Sequence, residues 1–202
     1  GREHGGHGDP VRSGRHGDHS GHVISQPAGV LGAHLIPEDE LMLSYRYLMM
    51  YMDGNRDGTN SVSDAEVLGN FMVTPTRMVM HMHMLGAMYG LTDNVTGMIM
   101  VPFLHSEMDH ITGTAVRFTT RSAGIGDIQL SGLVGVIKRK NYSAHLNLGV
   151  SLPTGDISAR DDTPAAANAV LSYPMQLGSG TIDLMPGITF NGATQSGVFG
   201  WG

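Results

Sequence analysis

From about Val30 onward apolar and polar side chains alternate with a period of two, and the 3.6-residue period of a helix is nowhere sustained. The clearest stretch sets Tyr142, Ala144, Leu146, Leu148, Val150 and Leu152 against Ser143, His145, Asn147, Gly149 and Ser151. Successive side chains of a strand point to opposite sides of its sheet, so this spacing gives one apolar and one polar face. Ile128, Leu130, Val134 and Val136 repeat the pattern against Asp127, Gln129 and Ser131, as do Ile182, Leu184, Ile188 and Phe190 against Asp183, Gly187 and Thr189. Leu41, Leu43, Tyr45, Tyr47 and Tyr51 do so earlier, opposite Met42, Ser44, Arg46 and Met50. The pattern predicts strands near 30–36, 41–52, 77–91, 95–105, 125–138, 142–153, 181–191 and 194–201.

The connections add a second regularity. Short turns are expected at Pro37–Glu40, Thr92–Asn94, Arg139–Asn141 and Gly192–Ala193, and long polar loops at 53–76, 106–124 and 154–180, in strict alternation. A transmembrane β-barrel has this asymmetry, with short periplasmic turns and long extracellular loops, and strands of about ten residues suffice to cross a bilayer at a tilt near 45°. The expected fold is therefore all-β, an antiparallel up-and-down transmembrane barrel over 28–202. Its apolar face would meet lipid, with Tyr45, Tyr47, Tyr51, Tyr89, Phe103 and Tyr142 as an aromatic girdle, while Arg46, Asp127, Gln129, His145, Asn147 and Asp183 would line the lumen. A soluble sandwich or lipocalin-like barrel, with the apolar face inside, carries the same alternation.

Composition narrows the functions. The 202 residues hold 12 Lys+Arg against 18 Asp+Glu, no Cys, 29 Gly and 15 Met. Without cysteine there is no disulfide framework, thiolate cluster or thiol nucleophile, and without a basic cluster nucleic-acid binding is not expected. Residues 1–27 carry His4, His7, His16, His19 and His22 among Gly, Asp, Ser and Arg, and read as a flexible tail able to collect metal. They lack the charged start and apolar core of a signal peptide. No phosphate loop, Gly-x-Ser-x-Gly or His-Glu-x-x-His is present and no nucleophile–base pair is visible, so catalysis is not expected.

Three clusters carry candidate chemistry. Met78, Met80, Met82, Met84 and Met88 share one strand parity, interleaved with His81 and His83, and Met98 and Met100 follow on the next strand; thirteen of the fifteen methionines lie between Met42 and Met108. Thioethers suit Cu(I), imidazoles Cu(II) or Zn(II), so copper is the first candidate; packing by Met is the plainer alternative. With the methionines inward, His81 and His83 fall on the lipid side, tolerable at the outer rim. Second, Asp53, Asn55, Asp57, Ser61 and Asp64 place oxygens at positions 1, 3, 5, 9 and 12 of a calcium-type loop with Gly58 at 6, although Asp64 stands where a bidentate Glu is usual, a strand leads in, and these are also common turn formers. Third, Glu107, Asp109 and His110 follow His105, with Asp161 and Asp162 in a later loop; solvated loop charge is the commoner reading of such a group.

Ser44-Tyr-Arg-Tyr47, Met52-Asp-Gly-Asn-Arg-Asp-Gly58, Thr74-Pro-Thr-Arg-Met78, His81-Met-His-Met84, Gly90-Leu-Thr-Asp93, Val101-Pro-Phe-Leu104, Glu107-Met-Asp-His110, Gly124-Ile-Gly-Asp127 and Leu148-Gly-Val-Ser-Leu-Pro-Thr-Gly155 together resemble a proteobacterial outer-membrane transporter family related to the one named after the meta-pathway of phenol degradation. The resemblance runs from about Gly29 onward and implies an outer-membrane barrel with a transport role. It supplies no catalytic residues. Members are generally longer, so an incomplete barrel is a further expectation. Three functions follow: a barrel that binds or transports copper or another soft metal through its Met/His face, a barrel passing hydrophobic aromatic compounds, or a soluble or surface-attached metal-binding or structural sheet protein without a pore. The expected partners are outer-membrane lipid and a small solute or metal ion, and the expected cofactors at most copper and calcium.

Overall fold

A computed structural model describes residues 32, 34–139, 141–194 and 197–201. The histidines of the tail, His4, His7, His16, His19 and His22, lie outside the described residues, as does the expected tail–barrel boundary near 27. The period-two stretches become long antiparallel strands: β1 Leu41–Asp53, β4 Val73–Thr92, β5 Val95–Thr112, β6 Arg117–Ile125, β7 Ile128–Lys138, β8 Tyr142–Leu152, β11 Asp183–Thr194 and β12 Gly197–Trp201. Smaller elements decorate the loops, namely β2 Asn55–Asp57, β3 Asn60–Val62, a one-turn helix α1 Asp64–Leu68, β9 Arg160–Asp161, β10 Ala169–Val170 and a 3-10 turn at Tyr173–Met175.

The sheet order follows the chain, β1-β4-β5-β7-β8-β11-β12, with β6 beside β5, and the sheet curls into an up-and-down half-barrel. β6 and β7 are one strand interrupted by a bulge. Phe103 faces Ile125 and Met100 faces Gln129, so four steps on one strand oppose three on the other. The extra residue lies at Gly126-Asp127 and reverses the parity that faces outward, from odd in β6 to even in β7.

Several sequence expectations change here. The loop expected at 106–124 is instead the tall upper part of the β5–β6 hairpin, closed at 113–116, where charged Glu107, Asp109 and Arg121 replace apolar side chains on the outer side. The turn expected at Gly192–Ala193 falls after Thr194, because β11 stays paired with β12 through Thr194–Gly197. Residues 34–36, expected at the end of a strand, form no strand but a strap laid inside the half-barrel. There the Ile36 amide donates to Thr96 Oγ1 (2.9 Å), and His145 Nε2 donates to the Gly32 carbonyl (2.8 Å). Gly90 permits the strap's closest approach, since a Cβ there would overlap the Pro37 carbonyl.

The two faces differ in chemistry. Outward residues are large, apolar and exposed, among them Leu43 at 73% and Leu184 at 80%, as lipid-facing positions of a barrel require. Inward residues are mostly small, polar or methionine, with Leu48, Pro102, Leu104, Phe118 and Leu133 as larger apolar members. Two cores cap the inner face: Ile36, Met88 and Leu133, with Met42 and Met98 against them, at the short-turn end, and Met78, Met108, Ala159, Leu171 and Met175 at the long-loop end.

Candidate functional site

Cross-strand register places the methionines on the inner face in rows. Met42, Met88 and Met98 lie abreast, then Met84 beside Arg46, Met82 beside Leu48, Met50 beside Met80, and Met52, Met78 and Met108. Neighbouring strands run about 4.8 Å apart, so the Met42–Met88–Met98, Met50–Met80 and Met52–Met78–Met108 rows set thioethers side by side. Met100 lies inward as well, facing Gly86 and Gln129. His81 and His83 project from the other face. Tyr47 Oη and Tyr45 Oη hydrogen-bond their Nδ1 atoms at 2.6 and 2.7 Å, and the His105 ring lies tilted beside His81, centroids 6.3 Å apart. The sheet thus separates the predicted methionines from the predicted histidines, and the mixed Met/His set is not assembled.

The outer face is layered by height. Leu91 lies about ten residues after His81 along β4, a separation of roughly 24 Å in height at ~3.4 Å per residue and ~45° tilt. That matches the roughly 25 Å apolar band of outer-membrane barrels. At the top of this band sits the Tyr–His belt. Above it, Arg121 Nε pairs with Glu107 Oε1 (2.7 Å) and Arg77 Nη2 with Asp109 Oδ2 (2.8 Å). Glu107 and Asp109 are thus outward ion-pair partners, whereas His110 turns inward against Phe118, with ring centroids 4.8 Å apart.

A cavity of about 460 Å³ occupies the inner face between the two cores. One wall is Met82, Met84, Pro102 and Leu104; the other carries Asp127, Gln129, Ser151, Asp183 and Met185; Tyr173, Pro174 and Leu177 lie over it. All six predicted lumen residues therefore point inward. Asn147 donates to Thr189 Oγ1 (2.9 Å), His145 holds the strap, and Arg46 lies beside Met84. The pattern could not reveal what covers the cavity. The 153–182 loop folds over the inner face, with Met175 only 1% exposed. Asp127 clamps both of its stems: Oδ1 accepts from the Gly155 amide (2.9 Å) and Oδ2 from the Ser179 amide (2.7 Å). Gly155 and Gly178 pack so closely that a Cβ on Gly155 would lie 2.7 Å from the Gly178 backbone. A local signal is the apolar run through Ala165–Leu171, Tyr173–Met175 and Leu177 in the second half of the loop.

Asp53 ends β1, and Asn55, Asp57, Ser61 and Asp64 fall on a small hairpin and the start of a helix. Asn55 and Asp57 pair with Val62 and Asn60 in the small β2–β3 hairpin, and Asn55 Nδ2 donates to Asp64 Oδ1 (3.1 Å). Asp64 then opens α1, which Ser63 and Glu66 cap reciprocally. The Ser63 backbone amide, then its hydroxyl, holds the Glu66 carboxyl below its ordinary range. Among the described residues no three His, Asp or Glu side chains are grouped to hold a metal ion. At the other end, burial and then neighbouring His145 lower the His34 imidazole from its ordinary value, which favours its neutral form.

A curled meander with an apolar outer face, a covered polar and thioether inner face, short turns at one end and long loops at the other defines a β-barrel of the up-and-down class. The family profile described as "Putative MetA-pathway of phenol degradation" matches residues 41–198, and the chain belongs to that family. Comparison with curated proteins finds no match.

Proposed function

We propose that this protein is an outer-membrane barrel whose interior binds and passes small, mainly apolar solutes bearing one or two polar groups, with simple phenols as the first class. The observation that carries the reading is the inner cavity, in which a Met82–Met84–Pro102–Leu104 wall faces Asp127, Gln129 and Asp183. Thioethers adapt to flat rings of varied outline, while the opposite wall offers acceptors to a hydroxyl. The phenol-degradation description of the family points to the same chemistry. On this reading the short turns and the tail are periplasmic, the long loops external, and outer-membrane lipid covers the outer face.

Vesicles with lipopolysaccharide in their outer leaflet test the proposal. The protein should speed phenol uptake several-fold over protein-free vesicles while leaving a pentose unaffected, and a Met82→Lys/Met84→Lys variant should abolish the selectivity. Faster pentose than phenol uptake refutes it. A second reading, soft-metal binding, is favoured by the Met52–Met78–Met108 row, three thioethers abreast. Cu(I) titration decides it, and unchanged affinity in a Met52→Leu/Met78→Leu/Met108→Leu variant rules it out.

A further inference from the structure

Beside the Met78–Met108–Leu171–Met175 core, at the long-loop end, lies a second cavity of about 250 Å³. Its walls are mainly apolar: Val73 and Phe118 on the strands, Pro164, Ala165, Val170 and Leu171 on the folded loop. Polar side chains line it as well, His110, Thr112 and Thr120 from the strands and Thr163 and Ser172 from the loop. His110 Nδ1 and Thr120 Oγ1 are both buried without a hydrogen-bond partner. They belong to one patch, because His110 pairs with Phe118, and Met108, two residues earlier on the same face, pairs with Thr120. A native fold seldom leaves two adjacent buried polar atoms unmatched, and such groups call for a ligand or an ordered water. A cavity of about 150 Å³ already accommodates benzene, so this one has room for a substituted ring.

We infer that this rim cavity is a docking site for a single aromatic ring bearing a hydroxyl, where solute is held before it passes beneath the loop. The ring would contact Phe118, Val170 and Leu171. With its proton on Nε2, His110 would accept the phenolic hydrogen at Nδ1, and Thr120 Oγ1 would donate to the phenolic oxygen. Each unmatched atom then gains the partner it lacks, and an aromatic ether of the same shape satisfies only one of them. The inference rests on the phenol-passing reading for its solute class, but can fail independently.

The test uses the full chain in lipid nanodiscs, with 4-fluorophenol and 4-fluoroanisole followed by fluorine NMR and empty discs as the partition control. Saturable 4-fluorophenol binding about tenfold tighter than that of the ether is expected, the scale of one well-made hydrogen bond. His110→Phe should erase that preference, and Thr120→Val, which conserves shape, should weaken the binding of both ligands while leaving the preference, neither variant unfolding the sheet by circular dichroism. Met82→Lys/Met84→Lys, remote from the rim, should leave it intact even where the selectivity of uptake is lost. Binding equal for phenol and ether, unchanged in both rim variants, or absent while wild-type vesicles still take up phenol would overturn the rim site and leave the passage reading standing. Rim binding without any uptake would do the reverse.

Discussion

Asp127→Asn replaces one carboxylate oxygen with an amide nitrogen at the point where both stems of the 153–182 loop are held. Asp127 accepts from the Gly155 and Ser179 amides, one on each oxygen. Asparagine keeps one acceptor and turns its NH2 toward the other amide, so one charge-assisted bond is lost and two donors face each other. A hydrogen bond to a charged group contributes about 1.5–3 kcal/mol, and the half-buried position argues for the lower end. Adding about 1 kcal/mol for the opposed donors gives roughly 2–3 kcal/mol of lost docking, a 30- to 150-fold rise in the open population at ~1.4 kcal/mol per decade. Amide hydrogen exchange over 156–177 in nanodiscs reads this directly. Leu177, whose amide donates to the Asp156 carbonyl at 2.9 Å, is a good reporter. Exchange there should accelerate by that factor, while strand β8 should not change. Less than threefold acceleration would mean that the Met175–Met78–Met108 core alone holds the loop, and the clamp argument would be refuted.

Gly90→Ala should push the Pro37 carbonyl out of place and loosen the strap over Met88 and Leu133, costing about 1–3 kcal/mol as overpacking; a lower unfolding temperature with faster exchange at Ile36 is expected, and an unchanged temperature would contradict it. The chain has no native cysteine, so single nitroxide labels are clean depth probes. A label at Leu43 should meet oxygen more than an aqueous nickel chelate, and one at Glu107 the reverse; equal accessibility at both would defeat the layering of the outer face. Glu66 is held below its ordinary range by Ser63, so its cap on α1 is present above that range and lost as pH falls through the folded value. Proteolysis within 53–72 should therefore rise only in the acid limb for the native chain, and at all pH values for Glu66→Ala.

Alternation fixed which side chains share a face, and through it the inward set of Arg46, Asp127, Gln129, His145, Asn147 and Asp183, together with the methionine rows. These are local consequences of the pleat, which needs no knowledge of partners. The same information placed His81 and His83 outward, but not their Tyr47 and Tyr45 hydrogen bonds, which depend on strand register. Periodicity also missed the tall β5–β6 hairpin, because strand beyond the apolar band no longer alternates in hydrophobicity although its backbone ladder continues. The calcium-like loop folds as a small hairpin followed by a capped one-turn helix, a shape the ligand pattern does not specify. Only the tertiary structure decided what lies across the inner face. The strap at Ile36, the Asp127 clamp, the loop seated on Met175 and the rim cavity at His110 and Thr120 join residues up to 113 positions apart. Such contacts leave no periodic trace in the chain, since they are set by the curl of the sheet and by which loops are long enough to fold back over it.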